Sequence, residues 1–306
     1  MQNNASIFLS FILLIYSVLV AIVVVAYLES GIFFYGDSYN FITYGEDITF
    51  GKDLVDPSTI NVLFVSFLYS SNPLTNLTIN IFIYIASLAM VLRKTNRLDL
   101  ISIGIIFLVF TNCGMLTRLL EPSREYILYL SLFLAALYSK QKNRFPFIVL
   151  LLIVIAVRPV YSIALPFILL NTYYVLLCTT LISFIFTYFE LNYFSFIFGR
   201  AGAYGGAYGD SVFASTILNF VGGINAWANN EFPLQDRIIF FISYIQRGVA
   251  LIIIALSNRS SLFTLVLFSI TLSVILGFPH PRYLEPLIFF FLGIALLERQ
   301  RETLFQ

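Results

Sequence analysis

Residues 7–28 read IFLSFILLIYSVLVAIVVVAYL, 22 positions without a charged side chain. An α-helix rises about 1.5 Å per residue, so a run of this length covers the roughly 30 Å hydrocarbon core of a bilayer. No basic stretch precedes the run and no small-residue cleavage site separates it from Glu29, so a retained helix is expected in place of a cleaved leader.

Runs of the same kind recur along the chain. They cover 61–92 (broken at Ser71-Asn72-Pro73), 98–115, 126–138, 146–157, 160–170, 173–189, 238–256, 262–278 and 284–297. Of the 306 residues, 59% are hydrophobic and 11% are charged, against about 25% charged in an ordinary soluble domain. The expected fold is therefore all-α, a polytopic transmembrane bundle of about ten membrane-spanning segments, some of them short broken helices. It forms one domain over residues 1–306, with a first outer loop at 29–60 and a long outer loop at 199–237.

The net charge of +1 hides a sorting of sign. Arg93, Lys94 and Arg97 form one basic cluster, Lys140, Lys142 and Arg144 a second, and Arg259, Arg299 and Arg301 follow. With ten crossings these positions fall on one side, which the positive-inside rule makes cytoplasmic together with both termini. The complementary loops hold the acids Asp37, Glu46, Asp47, Asp53, Asp56, Glu121, Asp210, Glu231 and Asp236. Basic residues on that side are isolated and, Lys52 apart, all arginine: Arg118, Arg124, Arg158, Arg200, Arg237, Arg247 and Arg282. Nothing in this pattern calls for nucleic acid.

Arginine suits phosphate, because its planar fork of donors bonds phosphoryl oxygens in pairs and its charge does not titrate. Each arginine taken singly can equally snorkel to lipid headgroups or pair with a neighbouring acid. Arg158-Pro159 interrupts an apolar stretch, and a charge at membrane depth is a functional-site hypothesis by default, although it also fits a helix end. Between two apolar runs, Glu121-Pro122-Ser123-Arg124-Glu125 is either a salt-bridged turn or a helix start capped by Ser123, with Arg124 facing a cavity. Asp37, beyond the first helix, either caps a helix beginning near Ser38 or acts as a general base or ligand for a divalent ion. His280, the single histidine, adjoins Arg282, Tyr283 and Glu285 and has the intrinsic pKa to titrate near neutrality.

The two cysteines, Cys113 and Cys178, each lie in apolar surroundings and suggest neither a disulfide framework nor a zinc site. The biased stretch GRAGAYGGAYG, residues 199–209, lacks the Lys-Ser/Thr ending of a P-loop, so no nucleotide site is expected. It lies in a loop long enough to act as a lid.

Four stretches in order, GDSYNFITYGE (36–46), EPSREYILYLSLFLAAL (121–137), AVRPVYSIALP (156–166) and HPRYLEPL (280–287), resemble polytopic glycosyltransferases of the GT-C type. They are also similar to bacterial O-antigen and capsule repeat-unit polymerases of the Wzy and EpsG kind. The absence of a soluble segment between Leu297 and residue 306 favours the polymerase resemblance. The resemblance implies an enzyme of the bacterial cytoplasmic membrane that joins polyprenyl-diphosphate-linked, undecaprenyl-type, oligosaccharides on the outer face. It implies Asp37 as base or metal-linked acid and Arg124, Arg158, Arg200 and Arg282 as the residues holding the lipid diphosphate. Beside these, His280, for its intrinsic pKa, and Glu121 are further catalytic candidates, and Tyr283, next to Arg282, is a further binding candidate. The implied partners are lipid-linked glycan donor and acceptor, membrane lipids and a chain-length regulator. No organic cofactor is expected, and a divalent ion stays open. A single-sugar transferase using a polyprenyl-phosphate donor and a flippase of the same glycan are the competing functions. Transporters usually show repeat symmetry, whereas no internal repeat is visible and the polar loops lie on one side.

Overall fold

The computed structural model describes residues 2–30, 57–95, 98–112, 124–140, 143–157, 234–257, 261–266 and 281–302, with Ile42, Met115, Leu119 and Pro122 as single positions. Every element of eight residues or more among them is an α-helix: α1 (Gln2–Ser30), α2 (Pro57–Leu68), α3 (Pro73–Lys94), α4 (Leu100–Phe110), α5 (Arg124–Tyr138), α6 (Phe145–Val157), α7 (Leu234–Ser257) and α8 (Pro281–Glu302). The expected runs at 160–170 and 173–189 lie outside the described residues, and of 262–278 the structure describes a helical stretch over 261–266.

Local chemistry sets the helix ends. The break between α2 and α3 falls where Ser71-Asn72-Pro73 placed it. Asn72 accepts the Leu74 N–H at 2.9 Å as the N-cap, and Pro73 occupies the first turn, where its missing N–H costs nothing. Arg93 and Lys94 close α3, complementing the negative end of its dipole. Asp99 caps α4 through the Ser102 N–H at 2.6 Å, and Asn143 accepts the Phe145 N–H at 3.0 Å where α6 begins.

The run expected to reach Met115 stops as α4 at Phe110. There the Thr111 hydroxyl donates to the Phe107 carbonyl at 2.7 Å and Asn112 Oδ1 accepts the Met115 N–H at 3.0 Å. Short polar side chains compete in this way with the helical ladder. The loop expected at 29–60 is overlapped by helix at both ends, because α1 runs to Ser30 and α2 starts at Pro57. At the end of the long loop, α7 begins at Leu234.

α5 is the axis of the bundle. Every residue from Glu125 to Tyr138 is buried, and α5 packs against α8, α6 and α3, with α7 covering α8 and α4. α5 and α8 run in the same sense: Tyr129 stacks on Phe289 at 4.8 Å between ring centroids, and further along both helices Ala136 meets Gly293. α3 shares that direction. Asn80 bonds the Leu119 carbonyl ahead of α5, while Lys94 at the other end lies 5.0 Å over the Tyr138 ring. α4 returns, so that Ser102 in its first turn meets Gln300 near the end of α8 at 3.4 Å.

The outer helices are apolar on their open faces. Ile7, Phe11, Leu14, Val18, Ile22 and Val25 form one exposed stripe at helical spacing along α1. Ile242, Ile245, Val249, Ile252 and Leu256 do the same on α7, and Ile148 and Leu152 on α6. By length and composition, Pro73–Lys94 is the one helix among the described residues long and apolar enough to cross a membrane, and shorter apolar helical stretches lie at 10–22, 100–110, 145–157 and 241–257.

Candidate functional site

Polar side chains gather in the half of the bundle where α3, α5 and α8 begin. Asn76 and Asn80, one turn apart on α3, are fully buried. Asn80 Nδ2 donates to the Leu119 carbonyl at 2.8 Å, and its Oδ1 accepts the Tyr69 hydroxyl at 2.7 Å. The Asn76 amide closes the 69–72 turn, accepting the Ser70 N–H at 2.9 Å and donating to the Ser70 carbonyl at 2.8 Å. A buried amide left unpaired costs about 1–3 kcal/mol, so these bonds fix the turn and residue 119 against α3.

Arg124 and Glu125 follow at the first turn of α5. Arg124 Nε lies 3.3 Å from Glu125 Oε1, and the Glu125 carboxylate is buried. The two residues thus form an ion pair within the first turn of α5. α5 starts at Arg124 itself, and Ser123, expected as its cap, lies outside the described residues. A carboxylate in a first turn is favoured by the positive end of the helix dipole. Deeper in the bundle, Tyr16 stacks on Tyr84 at 3.6 Å and its hydroxyl lies 3.5 Å from that of Tyr126, which ties α1 to α3 and α5.

Across α8 lies a second polar group. A small crevice of about 10 Å³ between α4, α7 and α8 is lined by Asn112, Gln246 and Arg247 among the apolar Leu108, Ala250, Ile288, Phe289 and Leu292. Gln246 Nε2 donates to the Thr111 carbonyl at 2.8 Å, anchoring α7 to the end of α4, and the Arg247 guanidinium lies 5.2 Å from the Tyr244 ring centroid. Phe289 lines this crevice and stacks on Tyr129, one turn along α5 from Glu125, so the two polar groups are neighbours. Between Leu292 in the crevice and Gln300 at the other end run eight residues of α8, about 12 Å of rise.

Of the residues expected at a site, Asp37, Glu121, Arg158, Arg200 and His280 lie outside the described residues. Arg282 and Tyr283 occupy the first turn of α8, about two turns before Phe289, hence in the half of the bundle that holds the crevice. Asn76, Asn80 and Gln246 were not among the residues expected at a site, whereas Glu125 was named in the charged stretch before α5 and Arg247 among the outer arginines, neither as a site residue. One signal was available: Asn72, Asn76, Asn80 and Tyr84 recur every fourth residue in an otherwise apolar helix, the spacing of a single polar face. Comparison of the chain with protein-family models, with curated proteins and with solved structures gives no significant match in any of the three.

Proposed function

We propose that the chain is a polytopic membrane bundle of about ten crossings in the bacterial cytoplasmic membrane. In this reading it acts on a polyprenyl-diphosphate-linked glycan at the outer face. The exposed apolar faces of α1, α6 and α7 support the membrane reading, since soluble monomers rarely expose contiguous apolar patches of that extent. α4, α5 and α6 rise only about 16, 22 and 20 Å, below the thickness of the hydrocarbon core. α5 is enclosed by protein and does not have to match that thickness, whereas α3, at 22 residues, does.

The observation carrying the functional reading is Arg247 in an apolar helix, lining a crevice with Gln246 and Asn112. An arginine at membrane depth marks a functional site by default, and its paired donors suit a phosphoryl group. Arg282 begins α8 on the same side, and the resemblance of the four sequence stretches supplies the sugar chemistry. A hydroxyl of one lipid-linked glycan attacks the anomeric carbon of another, a base removes the hydroxyl proton, and the lipid diphosphate departs, its charge met by arginines. Asp37 and His280 are the candidate bases, with Asp37 preferred for its place in the first outer loop.

Purified protein in nanodiscs, incubated with a lipid-linked repeat unit, should yield a glycan ladder. Addition of a single sugar indicates a transferase, and movement of the glycan across the bilayer without elongation indicates a flippase. Asp37→Asn should lower elongation about 100-fold or more, the usual cost of a lost base. Asn caps a helix about as well as Asp, so the substitution separates base chemistry from capping.

A further inference from the structure

The basic end of the bundle carries chemistry that the outer-face reaction does not use. Arg93 and Lys94 end α3, Lys140 follows α5, and Arg144 precedes α6. The Lys94 ammonium over the Tyr138 ring brings the ends of α3 and α5 together, and the short 139–144 connection keeps Lys140 and Arg144 beside them. None of the four cations has a carboxylate partner among the described residues, and Arg93, Lys140 and Arg144 are exposed. Asp99, the acid nearest in sequence to Lys94, accepts the Ser102 N–H at Oδ1.

Large apolar side chains stand open at helix ends on this side of the bundle. Phe145, adjoining Arg144, is 70% exposed, and Leu100, in the first turn of α4, is 84% exposed. Cations without a carboxylate partner, with open apolar side chains at neighbouring helix ends, match a ligand with an anionic head and a hydrocarbon tail. We propose that the rim formed by Arg93, Lys94, Lys140 and Arg144, with Leu100 and Phe145, is a binding site for an anionic glycerophospholipid of the leaflet that this end of the bundle meets. The phosphodiester sits among the cations and the acyl chain lies along Leu100 and Phe145. This inference rests on the membrane reading and not on the glycosyltransferase reading.

The test uses the full chain in nanodiscs of phosphatidylcholine containing phosphatidylglycerol, with native mass spectrometry counting the lipids retained on release. Wild type should retain phosphatidylglycerol selectively over phosphatidylcholine. Arg93→Gln/Lys94→Gln and Lys140→Gln/Arg144→Gln, made as separate double variants so that the remaining lysines and arginines still orient the chain, should each weaken that retention about 30-fold. That is a factor of about five per cation. Arg93→Lys/Arg144→Lys keeps the charge and should restore retention to within a few-fold of wild type. Equal retention by wild type and both glutamine variants, or retention with no preference for phosphatidylglycerol, overturns the proposal. Release of the chain from membranes by alkaline carbonate would instead defeat the membrane reading, so the two failures are distinguishable.

Discussion

A methyl group built on Gly293 of α8 would stand 2.6 Å from Ala136 Cβ on α5, and 2.6 Å from the Phe133 carbonyl oxygen. The two central helices touch through small residues, the way helices in a bilayer approach closely where no solvent drives them together. Because one obstacle is backbone, a side chain at 293 has no cheap way to be accommodated. Gly293→Ala should cost about 1–3 kcal/mol by overpacking, read as a lower unfolding midpoint of the detergent-solubilised protein. Gly248 has nothing within 4 Å of such a methyl, so Gly248→Ala should be neutral or stabilising.

Two tyrosines of similar burial should respond oppositely to loss of the hydroxyl. Tyr69 donates to Asn80, so Tyr69→Phe leaves a buried acceptor short and should cost about 1–3 kcal/mol. The Tyr84 hydroxyl, by contrast, has no hydrogen-bond partner among the described residues, so Tyr84→Phe should be neutral or slightly stabilising. Paired unfolding curves decide it, and a larger loss for Tyr84→Phe than for Tyr69→Phe would contradict this account of the polar band.

Asn80 joins three segments, since its amide meets both Tyr69 and the Leu119 carbonyl. Asn80→Leu, close in volume, should therefore destabilise more than Tyr69→Phe and should loosen the segment before α5. Faster proteolysis at residues 116–123 would register that loosening. The neighbouring Thr78→Val removes only an exposed bond within α3 and should leave the proteolysis rate unchanged.

Much of this architecture is written in local sequence. The ends of α5, α6 and the α2–α3 break fall within two residues of where charge-free run lengths, Asn72 and Pro73 put them, because caps and apolar length act over a few residues. α4 came out shorter than its apolar run, since Thr111 and Asn112 turn their side chains onto the backbone. The polar site was less legible. Asn80 with Leu119 and Gln246 with Thr111 join positions 39 and 135 residues apart, and composition does not encode which distant carbonyl an amide will meet. Five of the eight expected site residues, Asp37 and His280 among them, lie outside the described residues, so their grouping still rests on sequence.

Arg247 separates a phosphate contact from a packing role. Arg247→Lys keeps the charge but loses the paired donors and should lower elongation about tenfold or more, while Arg144→Lys at the opposite end should leave it unchanged. Elongation rates of the two variants at equal expression check this.

The central claim is that the two ends of the bundle face opposite sides of a membrane, the basic rim inside and the arginine-bearing polar half outside. The most direct measurement is labelling of single cysteines by an impermeant reagent in whole cells, in a background carrying Cys113→Ser and Cys178→Ser. Cysteines at positions 50 and 215 should be labelled from outside, and those at 95 and 142 only after the cells are opened. Labelling of 95 and 142 in intact cells, with protection of 50 and 215, would contradict the account.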